Sequence, residues 1–271
     1  MILAPRSWPS KPGLAMTTRI FLATLREYMD VRLTVIGSSP AWPNPASAQS
    51  GYLLEGPGRL LLDCGPGVLG RLRERGRLEI DAVAITHFHL DHWGDLVPWA
   101  WLCAYGPEPL PRPEVWLPPG GCGELEAFAS RWGNEGMFER AFDLRELRPG
   151  AESQVGGFAL TALRVPHYGL EAYGFRVRDP DGGTVLAYSG DSGPGAELAD
   201  LARGADLFLC EATLGEDSED ADPRGHLAAH EALAAADGPI LLTHRPIELP
   251  APDGTQVASD GLAVDLVARS G

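Results

Sequence analysis

What most limits the folds open to this chain is where its short apolar runs end. DAVAIT, Asp81 to Thr86, leads straight into HFHLDH; LTALRVP leads into His167, TVLAYSG into Asp191, and GPILLT into His244. Runs this short, rich in aliphatic and β-branched residues and bounded by turn-formers, predict buried strands. Histidine and aspartate are not needed to fill a core. A chain that places them repeatedly at strand ends calls for a fold in which those ends converge, as where a sheet meets its loops.

The first cluster carries the most information. His87, His89, Asp91 and His92 fall within six residues. Alternation puts His87 and His89 on one side of an extended segment, and Asp91 and His92 follow where the chain turns into a helix. Imidazole together with carboxylate suits zinc and neighbouring first-row metals. A catalytic zinc keeps about three protein ligands, so four such groups exceed one ion's needs and point to two ions. His167, Asp191 and His244 are the remaining candidates. Singly, each reads equally well as a hydrogen-bonded core residue, or, for Asp191 in SGDSG, as a helix N-cap; the ordered set favours ligation.

The rest of the pattern fills in around these ends. VRLTVIG, from Val31, is a strand; SSPAWPNPASAQS is a loop; GYLLEGPGRLLLDCG is a hairpin around Gly-Pro-Gly; PGVLGRLRERG is a helix. HLDHWGDLVPWAWLCAYG has helical character interrupted at Pro98, followed by a strand in PEVWLP and a helix in GELEAFASRWG. Later come strands in FALTALRVPH, EAYGFRVRD and ADLFLCEAT, helices in AELADLARG and HLAAHEALAAADG, and a weak terminal helix over 260–269. Hairpin-rich strands with helices in both halves predict an α/β fold of two layered sheets with helices outside, a four-layer αββα sandwich. Residues 29–271 form one domain behind a flexible leader, 1–28, in which Pro5, Pro9 and Pro12 precede a short apolar patch and no clean cleavage site follows. Met29 is an alternative translation start.

Charge limits the partners. With a net charge of -15 over 271 residues and Lys11 as its single lysine, the chain repels long polyanions, which disfavours long nucleic acid but leaves a small anionic substrate open. Cys64, Cys103, Cys122 and Cys210 form no CxxC pair and no disulfide framework, which points to reduced thiols and a cytoplasmic setting. No stretch approaches the ~18 apolar residues of a membrane span. A homodimer is left open.

THFHLDH resembles the His-x-His-x-Asp-His signature of the metallo-β-lactamase superfamily, and RVPH, YSGDS and LLTHR resemble its later ligand motifs in the same order. The resemblance spans Val31 to Pro246 and implies an αββα sandwich with a dinuclear site. By motif, His87, His89 and His167 would hold one metal, Asp91, His92 and His244 the second, and Asp191 would bridge them. Zinc is the first choice, with manganese and iron as alternatives. LLLDCGPG, CEAT at Cys210–Thr213 and GHLAAHEA at Gly225–Ala232 are similar to the phosphodiesterase and ribonuclease Z branch, in which residues at the positions of Glu211 and His226 assist proton transfer or contact phosphate. The resemblance implies a small phosphodiester as substrate, a cyclic nucleotide among them, attacked by a metal-bridging hydroxide with Asp91 orienting it. The alternatives are ribonuclease Z-like processing of RNA 3′ ends, hydrolysis of a lactone, carboxylic ester or sulfate ester, an iron redox enzyme, and a non-catalytic binding module. The long Gly-Pro- and Lys-rich insertion that grips tRNA is not found in the sequence, and retention of all seven ligand positions disfavours the binding module. Of Trp93, Trp99 and Trp101, two are expected in the core and one free to line a pocket; Trp42 sits in a loop able to close over substrate. His230 reads as a surface residue, and Cys64 and Cys210 as small apolar ones.

Overall fold

Along the first hairpin the side chains take opposite sides by turns. Leu54, Leu60 and Leu62 join one buried cluster, whereas Leu53 and Leu61 join another. A strand whose two faces are both buried must lie inside a layered sandwich. In the computed structural model, which describes residues 31–216 and 218–268, two sheets of seven strands each build that sandwich. The expected leader, 1–28, lies outside the described residues.

The first sheet contains β1 (Val31–Gly37), β2 (Gly51–Glu55), β3 (Arg59–Leu62), β4 (Ala82–Ala84), β5 (Glu114–Leu117) and β6 (Asp143–Glu146). The second contains β7 (Glu152–Val155), β8 (Phe158–Arg164), β9 (Tyr173–Arg178), β10 (Val185–Tyr188), β11 (Leu207–Glu211), β12 (Ile240–Thr243) and β13 (Gln256–Val257). A last strand, β14 (Ala263–Leu266), returns to the first sheet, giving the order β14-β1-β2-β3-β4-β5-β6 against β13-β12-β11-β10-β9-β8-β7. Neighbours from β3 to β6 and from β10 to β13 pair in parallel. The apolar runs of β3, β4, β10, β11 and β12 are buried on both faces, as inner parallel strands require.

The helices are α1 (Val68–Glu74), α2 (Leu90–Trp93), α3 (Leu96–Tyr105), α4 (Gly121–Arg131), α5 (Met137–Ala141), α6 (Ala196–Ala202) and α7 (Ala229–Ala235). Three apolar clusters fill the three interfaces of four layers. Leu33, Tyr52, Phe158, Phe175 and Tyr188 lie between the sheets; Leu61, Val83 and Val115 meet Leu72, Trp99 and Phe138 from the helices outside the first sheet; Phe208 and Leu242 meet Leu201 and Ala232 outside the second. The αββα sandwich is therefore the fold. No helix among the described residues is long and apolar enough to cross a membrane.

Three sequence expectations need correction. The tail is not helical over 260–269: Ala263–Leu266 pairs antiparallel with β1, Val264 opposite Leu33, and the exposed Arg32 guanidinium donates to Asp265 at 2.6 Å. Pro98 does not interrupt its helix. The break falls at Gly94 and Asp95, between α2 and α3, and Pro98 lies in the first turn of α3, where its missing N–H leaves no acceptor unsatisfied. The helix expected from His226 begins only at Ala229, which leaves His226 on the preceding loop.

Candidate metal centre

The strands that end on histidine and aspartate do so at one edge of the sandwich. After β4 the backbone stays extended to Thr86, whose carbonyl accepts the Tyr173 N–H of the second sheet at 3.1 Å and stitches the two sheets together there. His87, His89, Asp91 and His92 follow on that seam. His167 comes from the loop after β8, Asp191 from the turn after β10, and His244 directly after β12. Gly65 allows the close approach: a Cβ there would stand 1.9 Å from the Asp91 carbonyl oxygen.

Besides a group of Glu211, His226 and His244, two sets of candidate ligand atoms result. One combines His87, His89, His167 and Asp191, the other Asp91, His92, Asp191 and His244, and within each set the atoms lie within 4.8 Å of one another. Asp191 belongs to both. His92 Nε2 stands 3.2 Å from Asp191 Oδ1, His244 Nε2 3.1 Å from Asp91 Oδ2, and His167 Nε2 3.0 Å from His89 Nδ1. Zinc–nitrogen bonds of about 2.0–2.1 Å at tetrahedral angles put neighbouring ligand atoms roughly 3.3 Å apart, so the observed spacings suit coordination. His87 Nε2, His92 Nε2 and Asp191 Oδ1 are buried and lack any hydrogen-bond partner. Orphaned buried polar atoms are rare because each costs about 1–3 kcal/mol. Three of them aimed into one cluster fit a cation.

The surrounding residues decide which nitrogen each histidine presents. Asp63, buried at the end of β3, accepts from the Thr86 N–H at 2.8 Å and the Tyr188 hydroxyl at 2.7 Å, and His92 Nδ1 lies 2.7 Å from its Oδ2. A carboxylate can only accept, so His92 Nδ1 carries the proton and Nε2 offers its lone pair. Thr86 Oγ1 donates to Asp63 and must therefore accept from His87 Nδ1, 3.1 Å away. His167 Nδ1 donates to the Gly225 carbonyl at 2.7 Å, and His244 Nδ1 to Thr213 Oγ1 at 2.9 Å. Four imidazoles thus present Nε2, the outer-shell arrangement that orients metal-binding histidines. Asp63 and His244 both adopt positive φ, 58° and 54°, as does Tyr168 at 47°. Strain at non-glycine residues gathers here, as at functional sites generally.

Electrostatics agree with the donor set. Burial pushes His87, His89 and His167 below the usual histidine range, so they stay neutral. Burial would raise Asp191, but the His244 and His92 charges hold it well below the carboxylate range; burial would raise Asp91 as well, but the adjacent His244 and His92 imidazoles hold it down. Burial would lower His92, and the charges of Asp191 and Asp63 raise it instead. Two buried carboxylates demand positive charge, which a metal ion held by these residues would supply in place of the proton on His92.

Glu211 and His226 border the same edge. Glu211 is fully buried and every acceptor position is taken: Oε1 by the Ser192 N–H at 3.0 Å and His226 Nδ1 at 2.8 Å, Oε2 by the Thr213 N–H at 3.0 Å and the Thr213 hydroxyl at 2.8 Å. No lone pair remains for a metal or a substrate, so Glu211 acts by holding His226. The His226 ring lies 5.2 Å from that of His167 and 5.7 Å from that of His244. Burial would lower its pKa, but the Glu211 charge and hydrogen bond lift it to about 9.

The other expectations sort themselves by packing. Trp93 and Trp99 are buried against Phe128 and Phe142, so neither lines the site; Trp101 is half-exposed beside Tyr105, away from the centre. Trp42 is exposed on a loop tied to the segment after His244, since Asn44 donates to the Arg245 carbonyl at 2.8 Å. His230 is exposed and pairs with Glu216. Cys64 and Cys210 are buried and the described cysteines are all free. Sequence reasoning missed Asp63, Thr86, Thr213 and Tyr188. Asp63 alone left a signal, an aspartate ending the apolar run LLLD.

A sandwich that gathers two sets of histidine and carboxylate atoms at one sheet edge defines a metallo-hydrolase class. The sequence matches the Beta-lactamase superfamily domain over residues 58–239. It is 38% identical over 224 residues to the protein ML1173 of Mycobacterium leprae, covering 80% of this chain and 78% of that one. It is 30% identical over 223 residues to "Probable metallo-hydrolase YhfI" of Bacillus subtilis, covering 80% and 87%. It is 29% identical over 244 residues to a Ribonuclease Z of Mycolicibacterium paratuberculosis, covering 79% and 85%. The crystal structure of YhfI superposes with a TM-score of 0.73 over 87% of this chain and 100% of that one, at 24% identity. The chain belongs to the metallo-β-lactamase superfamily and is a metal-dependent hydrolase.

Proposed function

We propose that the chain hydrolyses a small phosphodiester, a cyclic nucleotide among the candidates, with two divalent ions, zinc first and manganese or iron as alternatives. His87, His89 and His167 would hold one ion, Asp91, His92 and His244 the other, with Asp191 shared between them. Bound there, such ions lower the pKa of water and draw charge from a phosphoryl oxygen.

The observation that carries this reading is the Glu211–His226 pair, 2.8 Å apart, beside the rings of His167 and His244. An ester with a good leaving group needs no proton donor; an alkoxide leaving from phosphorus does. Glu211 fixes His226 Nδ1 and stabilises the imidazolium, leaving Nε2 as the nitrogen that donates to the departing oxygen. Asp91 binds metal and orients the attacking water, and Asp191, buried between the two groups, counters their charge.

The ribonuclease Z relative supports RNA 3′-end cleavage as the second reading, through the same catalytic groups. Against it stands the net charge of -15, with Lys11 the single lysine: a folded RNA is bound by neutralising several phosphates. Metal-reconstituted protein assayed at physiological salt on cyclic AMP, bis(p-nitrophenyl) phosphate, a nitrophenyl carboxylic ester, a lactone and a precursor tRNA separates the readings. The small diesters should turn over at least about tenfold faster than the tRNA trailer, whose many phosphates this acidic surface does not neutralise. Position-specific trailer cleavage at a higher rate promotes the ribonuclease Z reading, and turnover of the carboxylic ester or lactone alone overturns both.

A further inference from the structure

His226 is held at more places than its partnership with Glu211 requires. Its N–H donates to Asp220 Oδ2 at 3.1 Å, its carbonyl accepts from Arg224 Nη2 at 3.2 Å, and its Nδ1 meets Glu211 at 2.8 Å. Three charged side chains thus fix three atoms of one residue and leave Nε2. Asp220 does more than cap one N–H. Oδ2 also accepts from Gly225 N–H at 2.9 Å, and Oδ1 accepts from Ala221 N–H at 2.8 Å and from the Tyr168 hydroxyl at 2.9 Å. Tyr168 is anchored next to His167, in the left-handed region at φ 47°, and its ring lies against Gly225, where a Cβ would come within 2.3 Å of it. Gly225 in turn gives its carbonyl to His167 Nδ1. Arg224 is itself fixed to α7 by a two-pronged pair with Glu231, at 2.7 and 2.8 Å. The loop 220–226 is therefore a strap, fastened to the His167 segment at one end and to α7 at the other.

We propose that Asp220 is a positioning residue for His226: by gathering the Gly225 and His226 amides and the Tyr168 hydroxyl, it sets the imidazole where it can protonate a leaving oxygen. The inference rests on reading His226 as that donor. Nothing in the bare fold calls for a carboxylate here, because the loop carries no strand pairing and little core; what the carboxylate organises is the backbone on both sides of one histidine.

The test uses the metal-loaded chain and the Asp220→Ala variant, which removes both carboxylate oxygens and leaves the Gly225 and His226 N–H groups without that acceptor. The ratio of turnover on a nitrophenyl diester to turnover on an alkyl diester should rise at least about tenfold, since proton donation is worth ~10²–10⁴ only where the leaving group is poor. In the His226→Ala background the same substitution should leave that ratio unchanged. Amide exchange at Gly225 and His226 should quicken at least about tenfold, reporting local opening without reference to any substrate. Equal losses on both diesters, an added effect in the His226→Ala background, or loss of metal would overturn the proposal. If the wild type cleaves neither diester, the phosphodiesterase reading fails by itself, and exchange alone judges the strap: unchanged protection refutes it. Should Asp220→Ala not fold, Tyr168→Phe, which removes one of the four hydrogen bonds, carries the same measurements with a smaller expected change in the same direction.

Discussion

Asp63 offers the sharpest test of how this centre is built, because its side chain binds no metal in our reading and yet sets the protonation of residues that would. Replacing it with asparagine keeps the shape and removes the charge. One amide oxygen can still accept from part of the group formed by Thr86, His92 and Tyr188, but the amide nitrogen must face donors where a carboxylate oxygen stood. The Tyr188 hydroxyl can rotate to accept, so either the Thr86 N–H is left without an acceptor in a fully buried pocket or the His92 ring takes its other tautomer, with Nδ1 accepting from the amide and Nε2 carrying the proton. A hydrogen bond to a charged acceptor contributes about 1.5–3 kcal/mol and an orphaned buried donor costs about 1–3 kcal/mol; these measure the same lost contact, so the expected loss is roughly 1.5–3 kcal/mol. Against a typical folding stability of about 5–15 kcal/mol the variant still folds. Its metal affinity should fall by about 10–100-fold, the usual effect of removing an outer-shell partner of a ligating histidine. Urea unfolding of the chelator-treated protein measures the first quantity, and competition of the loaded protein against a chromophoric chelator measures the second. A variant that loses stability as expected but keeps wild-type metal affinity would refute the claim that Asp63 acts on the metal through His92.

Further outcomes follow from individual residues. His89→Ala should remove at least one equivalent of metal, read by elemental analysis, while His226→Ala should keep the metal and lose about 10²–10⁴ in rate on alkyl diesters; metal loss from the second variant would make His226 a ligand. In the metal-free chain, His226 is raised from the ordinary histidine value to about 9, so its pairing with Glu211 stabilises the fold fully below the unfolded-state pKa near 6.5 and loses that contribution as pH rises through about 9. The difference in urea midpoint between wild type and His226→Gln should accordingly shrink from pH 7 to pH 10, and a constant difference would contradict the ion pair. Deleting residues 1–28 should leave the melting temperature unchanged, since the patterned sequence starts at Val31; a large fall would mean that the leader packs on the domain. Ending the chain at Ser259 should lower it and promote association, because removing β14 bares β1 as a sheet edge.

How much of this could be read in the sequence depends on the distance over which each residue acts. The apolar runs are local signals, and the ligand candidates punctuate them, so β4, β10 and β12 and their terminal His87, Asp191 and His244 were legible together. The inner strands of the second sheet, β8 to β12, were equally clear, and the parallel ones among them, buried on both faces, read as continuous apolar runs. The edge elements were not. DLRE and ESQV, which form β6 and β7, carry too few apolar residues to announce a strand, and what makes them strands is pairing with β5 and β8. LAVDLVA near the C-terminus fits helix and strand periods alike; the pairing of Val264 with Leu33 decides it, across most of the chain. Asp63 is the extreme case. Its partners Thr86, His92 and Tyr188 lie 23, 29 and 125 residues away, and each is an ordinary residue until the fold closes. A sequence can thus announce the groups that would hold a metal, because histidines and aspartates at strand ends are unusual. It cannot announce the threonines, the tyrosine and the backbone carbonyl that fix which nitrogen each histidine offers. That assignment is made only by contact, and the lone pairs at His87, His92, His167 and His244 exist as a matched set only because the folded chain removes the alternative tautomer at each one.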